Sequence, residues 1–217
     1  MNTLQTKQFK TVKEALDFVG GLSSPSKMPC FSYGISAKLC QTGSQLVKIE
    51  GSTCSDCYAL KGFYGDWNKN ISNAHTKRLE AMQKPEWIQA MIFLISRKNL
   101  THFRWHDSGD LQSFQHLLNL VTIAEKCPGT SFWLPTREKK YVNEFLKMFG
   151  DFPANLIVRV SATMVDDQAG DYENTSTVHQ DKAPIGLACN APSQDGKCMD
   201  CRACWDKSIK NVSYAKH

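Results

Sequence analysis

Nine of the 217 residues are cysteines, and their spacing indicates what chemistry they could do. Cys198, Cys201 and Cys204 stand in a C-x2-C-x2-C run, and Cys54 and Cys57 form a C-x2-C pair. Three thiolates at the first spacing can converge on one small object, as a cysteine run does when it wraps a corner of an iron–sulfur cubane. Cys189, nine residues before Cys198, reads as a fourth ligand. Zinc also takes thiolates, although its sites more often use two separated C-x2-C knuckles, so Zn stays open as the alternative metal. Buried structural cysteines are the plainer reading. The polar, turn-like stretch from Asp195 to Arg202, with Met199 its only large apolar side chain, speaks against that.

The cysteine count is odd and the spacings are irregular, which does not make a disulfide framework. Residues Met1 to Lys10 lack the apolar core of a secretory signal, so a reducing cytoplasm is the expected compartment, where thiolates stay free for metal. Hydrophobic content of 41% with 22% charged residues is ordinary for a globular chain, and no apolar run approaches the ~20 residues of a membrane span. No membrane partner is expected. The formal charge of +5 comes without a lysine or arginine block, so it reads as a solvated surface, with nucleic acid the weaker partner reading.

Elements must bring these thiols together. Residues 1–29 read as a leader with one short helix over Val12–Val19, and residues 30–217 as a single α/β metal-binding domain. A short strand is predicted over Gln45–Glu50, running into the Cys54 loop. Two helices follow, one from about Asp66 to Gln83 and one from Pro85 to Lys98. Strands are then predicted at Phe103–His106, Ser131–Leu134 and Leu156–Val160, with helices at Leu111–Lys126 and Glu138–Gly150 between them. The stretch from Val165 to Thr175 reads as a surface loop or lid, and the cysteine-rich C-terminal tail closes the chain.

Strands alternating with helices imply parallel βαβ units, in which the loops after the strands share one rim. Cys54 and Cys57, His106 and Asp110, Thr136 and Arg137, and Ser161 then fall at or just past strand ends. That rim is where such folds bind ligands. His106, Asp110 and Arg137 are the candidates to hold a small polar or anionic substrate there. Asp110 has a second reading, as the N-cap of a helix beginning at Leu111.

Cys40 with Thr42-Gly43, the stretch Cys54 to Gly62, His106 to Asp110, and Cys198 to Trp205 together resemble a phage-encoded family named after gene product 88 of mycobacteriophages. A more distant similarity is to radical S-adenosylmethionine enzymes, in which a cysteine loop after the first barrel strand holds a [4Fe-4S] cluster with one open iron. That likeness implies a partial parallel barrel of βα repeats and the cofactor S-adenosylmethionine. It places Ser108, Gly109 and Asp110 where such enzymes bind the cofactor's amino group, and Thr136 and Ser161 among cofactor-binding positions. The family pattern is C-x3-C-x2-C, and Glu50 stands here where its first cysteine would be.

The expectation is an iron–sulfur enzyme with a [4Fe-4S] site at the rim and seven candidate thiols at Cys40, Cys54, Cys57, Cys189, Cys198, Cys201 and Cys204. They could hold one cluster between loop and tail, or two, one open at Cys40, Cys54 and Cys57 and one full at the other four. The alternatives are a zinc-stapled binding module without enzymatic activity and a DNA-associated replication or host-takeover factor. His217 could fold back to complete an iron, while Cys127 should stand apart from any metal.

Overall fold

The computed structural model describes residues 8–61, 64 and 68–216. In chain order the elements are α1 (Val12–Val19), β1 (Phe31–Tyr33), α2 (Gln41–Leu46), α3 (Lys69–Met82), α4 (Trp87–Arg97), β2 (His102–Trp105), α5 (Phe114–Lys126), β3 (Ser131–Thr136), α6 (Lys139–Phe149), β4 (Leu156–Ser161), β5 (Thr175–His179), β6 (Leu187–Ala188) and β7 (Asn211–Ala215). The strands form one sheet in the order β1-β2-β3-β4-β5-β7-β6, and every pairing is parallel. It is an open sheet, with β1 and β6 at its edges. Among the described residues no helix is long and apolar enough to cross a membrane.

Strand alternation sorts the side chains onto two faces. Tyr33, Phe103, Trp105, Phe132, Leu134, Leu156, Val158 and Val160 lie in one core with Trp87, Met91 and Leu94 of α4, Leu117 and Leu120 of α5, and Val142 and Phe145 of α6. Residues 8–29 join it, because α1 packs on α4 and α3 and contributes Ala15 and Val19. On the other face Arg104, Trp133 and Arg159 point towards the chain between β6 and β7. Arg159 is fully buried there. Its guanidinium donates to the carbonyls of Ala203 (2.8 Å), Cys204 (3.1 Å), Asp206 (2.8 Å), Ile209 (2.9 Å) and Thr175 (3.3 Å). Trp205 seals the same face, donating Nε1–H to the Phe103 carbonyl at 2.9 Å and packing edge-on against Trp133.

Several expectations change. Gln45–Glu50 is not a strand: α2 ends at Leu46 and a turn follows. The cause is tertiary, since the buried Glu138 carboxylate accepts the Thr42 N–H (2.8 Å) and hydroxyl (2.9 Å), fixing a helical first turn against the local pattern. Helix α5 begins at Phe114 with Ser113 as its N-cap, Oγ accepting the His116 N–H at 3.0 Å, so Asp110 caps nothing. The cysteine-rich segment is a loop rather than a tail, because β7 follows it and inserts between β5 and β6. Residues 165–175 do form a surface loop up to the start of β5, anchored where Ala169 is buried and its carbonyl accepts from Lys139 Nζ at 2.6 Å. The start predicted at Asp66 lies outside the described residues; α3 begins at Lys69 behind Asn68.

The His106 and His116 rings meet edge-to-face in the helix-covered core, 5.3 Å apart. Burial holds both in the neutral form, His116 down to about 3 and His106 well below the usual range, with mutual repulsion adding to the latter. His116 Nδ1 accepts the Gln112 N–H at 3.3 Å, which leaves its proton on Nε2 without a partner. The unfolded chain takes up protons at both rings near their ordinary value of about 6.5, and the folded chain does not. Stability is therefore lost as pH falls below about 6.5, at up to about 1.4 kcal/mol per pH unit for each ring. Below about pH 6 the buried Asp110 carboxyl, raised to about 6, offsets about one ring's share of that slope, so urea unfolding from pH 7 to 4.5 should show the net loss, and His116→Asn should flatten it.

Candidate metal centres

Cys40, Cys54 and Cys57 come together at the rim where the strands end. Three elements hold them. Cys40 precedes α2, whose start is pinned by Glu138 just beyond β3. The Cys54 loop is clipped to the chain after β4 by a short antiparallel bridge, Ser52 to Met164, with Thr53 N–H donating to the Thr163 carbonyl at 2.9 Å. Arg137 follows β3 and reaches across to Thr53 Oγ1 at 3.0 Å. Burial pushes the Cys40 and Cys54 thiols up, the Asp110 carboxylate and the neighbouring thiols add to it, and the Arg137 cation works in the opposite direction. A side chain at position 43 would press on Cys40. A Cβ on Gly43 would stand 2.9 Å from Cys40 Cβ, 3.6 Å from Cys40 Sγ and 3.7 Å from Cys54 Sγ.

The second group lies on the other face of the sheet. Cys189 leaves β6 with its N–H on the Ser213 carbonyl at 2.8 Å, and Cys198 donates its N–H to the Lys27 carbonyl at 2.9 Å. The Cys204 sulfur contacts Tyr214 Oη at 3.2 Å, and Cys201 is exposed. Cys189 and Cys201 are close enough to Cys198 for thiolates there to repel, and Cys189 stands in the same relation to Cys204. Burial pushes Cys204 up to about 11. Cys30, just before β1, belongs to this group: Cys198 is among its charged neighbours, and burial pushes its thiol up to about 12. Nothing in its spacing announced it, because only the docking of Cys198 beside Lys27 brings it there.

The remaining candidates are divided. Asp110 is buried and committed, accepting from Leu111 N (2.7 Å), Thr136 Oγ1 (2.6 Å) and Arg137 N (2.8 Å), and burial raises it to about 6 against those bonds. Thr136 is thus part of a brace between the β2 and β3 ends. Asp107 differs, since Tyr64 donates to Oδ2 at 3.0 Å while the buried Oδ1 has no partner. Ser108 accepts the Ile35 N–H at its carbonyl, and its Oγ is buried without a partner. Gly109 has φ 80°, and a Cβ there would meet Ile35 Cγ1 at 2.6 Å, so only glycine lets this loop lie against the chain after β1. Ser161 pairs with Ser176, Oγ to Oγ at 3.0 Å. His106 turns inward towards His116, away from both thiol groups. Cys127 is buried at the end of α5, apart from the others. His217 lies outside the described residues.

Among the described residues, no three Cys, His, Asp or Glu side chains close on a point as the ligands of one ion do. A single zinc with Zn–S near 2.3 Å draws its sulfurs to within about 3.8 Å of one another, whereas a cubane spreads them over its corners.

The class defined by fold and site is an open, all-parallel α/β sheet carrying one thiol group on its rim and another on one face. The chain belongs to the gene product 88 family of phages, whose family model, described as "Gene product 88", matches residues 2–207. No curated protein and no solved structure matches it.

Proposed function

We propose that the chain is an iron–sulfur protein with two centres. Cys40, Cys54 and Cys57 would hold a rim cluster, and Cys189, Cys198, Cys201 and Cys204 a second, fully ligated one. The observation carrying this is the partition of eight thiols into two neighbourhoods, three at the rim and five around the β6–β7 loop. The donors suit the guest. They are soft sulfurs, with Arg137 beside the rim set and Gly43 packed closely on the Cys40 side chain. Three protein thiolates leave one iron open, which when bound would supply a Lewis acid or an electron donor at the rim.

The finer, radical-S-adenosylmethionine-like reading is supported by the placement of the rim thiols between β1 and β2 in the chain and by the all-parallel sheet. A partial barrel is supported by Tyr214 of β7, which lies within electrostatic reach of Arg104 on β2 although three strands separate them. In such a site the chain's own groups would orient a polar or anionic ligand. Arg137 offers the cation, and Asp107 rather than Asp110 offers the uncommitted carboxylate oxygen. Zinc at the same thiols is the competing outcome, with the metal only stapling the loop to the sheet. Anaerobically purified protein should be brown, with broad visible absorption and a paramagnetic resonance signal after reduction. Colourless protein carrying stoichiometric zinc would contradict the proposal.

One substitution separates site from scaffold. Gly43 lies within α2, where alanine is the better helix former by about 1 kcal/mol. Gly43→Ala should leave the thermal midpoint within a few degrees while displacing Cys40, so that the rim iron is lost and the loop iron is kept. Iron analysis of the variant reads this directly.

A further inference from the structure

We propose that Arg104 is the half-buried counter-charge of the centre held by the β6–β7 loop thiols, and that it holds that centre's reduction potential up. The inference rests on the iron–sulfur reading of those thiols.

The guanidinium comes from the middle of β2, and alternation places it opposite Phe103 and Trp105, on the sheet face that the loop covers. It lies over the Trp133 ring, 4.5 Å from the centroid, and Trp133 packs 5.3 Å from Trp205, the residue after Cys204. Its Nη1 reaches the thioether of Met28 at 3.1 Å, and its Nη2 reaches the His106 carbonyl at 3.5 Å. Its Nε is buried without a partner. Met28 stands between Lys27, whose carbonyl holds the Cys198 N–H, and Cys30. The thiols of Cys30, Cys198 and Cys204 all lie within electrostatic reach of the guanidinium. Among the described residues no carboxylate lies within ion-pair distance of Arg104, and the Tyr58 phenol and the Asp107 carboxylate act on it from farther off.

The guanidinium has only a thioether and a distant carbonyl for acceptors, with the Trp133 face beneath it, so part of its charge is left without a close partner. Neutral thiols do nothing to offset that. Four thiolates around a doubly positive cluster core leave a net charge of about −2, which would add an anion on the loop side of the guanidinium. Arg159, on the same face, has no such need, because five carbonyls take up its donors. Arg202 bonds the Met199 and Cys201 carbonyls nearer to solvent, where its charge is screened. Reduction adds negative charge to the cluster, so a fixed cation beside it favours the reduced form.

The test is a dye-mediated redox titration of the anaerobically purified full chain, followed by paramagnetic resonance. The signal to follow is the one that Cys54→Ser leaves in place. Arg104→Met should disfavour reduction about tenfold or more, which is about 59 mV per tenfold for one electron, and Arg104→Lys should restore most of it. Should the Met variant not load, Arg104→Gln keeps donors for Met28 and the His106 carbonyl while removing the charge. An unchanged midpoint in a loaded neutral variant overturns the counter-charge. A wild type free of iron and sulfide overturns the cluster reading, and the inference with it.

Discussion

Replacing Arg159 by leucine should destabilise the fold by about 3–5 kcal/mol and release the cysteine-bearing loop from the sheet. The side chain is fully buried and donates to five carbonyls, four of them between residues 203 and 209. Leucine fills part of the volume but leaves those carbonyls facing an apolar face with no donor, which is the costly half of breaking a buried network. Urea unfolding would measure the loss. Thiol labelling would locate it, with Cys204 reacting faster in the variant than in the parent while Cys127, at the end of α5, is unchanged. Equal labelling of Cys204 in both proteins would show that something other than Arg159 ties the loop down.

The second large effect is on metal content. Cys204→Ser should remove the loop centre and about half of the bound iron, and Cys54→Ser the rim centre and the other half, with the double variant carrying almost none. Losing the loop centre should also lower soluble yield, because that metal would tie the β6–β7 segment to β1 and β7 through Cys198 and Cys204. Losing the rim centre should cost less, since Glu138 and the Ser52–Met164 bridge hold the rim segments without help from the thiols. If either single variant loses all its metal, the two groups share one site and the partition fails.

How far the sequence could be read depended on the range of the forces involved. Helices α1, α4, α5 and α6 and strands β2, β3 and β4 carry apolar periodicity strong enough to show themselves within a few residues at each end. Strands β5 and β7 do not. Their sequences, Thr-Ser-Thr-Val-His and Asn-Val-Ser-Tyr-Ala, are polar because the sheet satisfies them sideways: Asn211 Nδ2 donates to Thr177 Oγ1 at 2.9 Å, and Ser176 pairs with Ser161. Helix α2 was hidden for a related reason, its first turn being fixed by Glu138, some hundred residues away in sequence.

At the site, local spacing revealed Cys54 with Cys57 and the Cys198 run, and the division into a rim set and a loop set was among the readings it allowed. What spacing does not carry is the environment. It could not separate Asp110, saturated by three donors, from Asp107, which keeps a free oxygen. Nor could it place Cys30 beside Cys198. Nor could it show the cover over Arg104, since an arginine alternating with Phe103 and Trp105 reads as one buried and one solvated face.

The most direct measurement is the iron and acid-labile sulfide content per chain of the anaerobically purified wild type, taken together with its zinc content. Two cubanes predict about eight iron and eight sulfide per chain, with little zinc. Protein that holds zinc at the cysteines and neither iron nor sulfide would contradict the account.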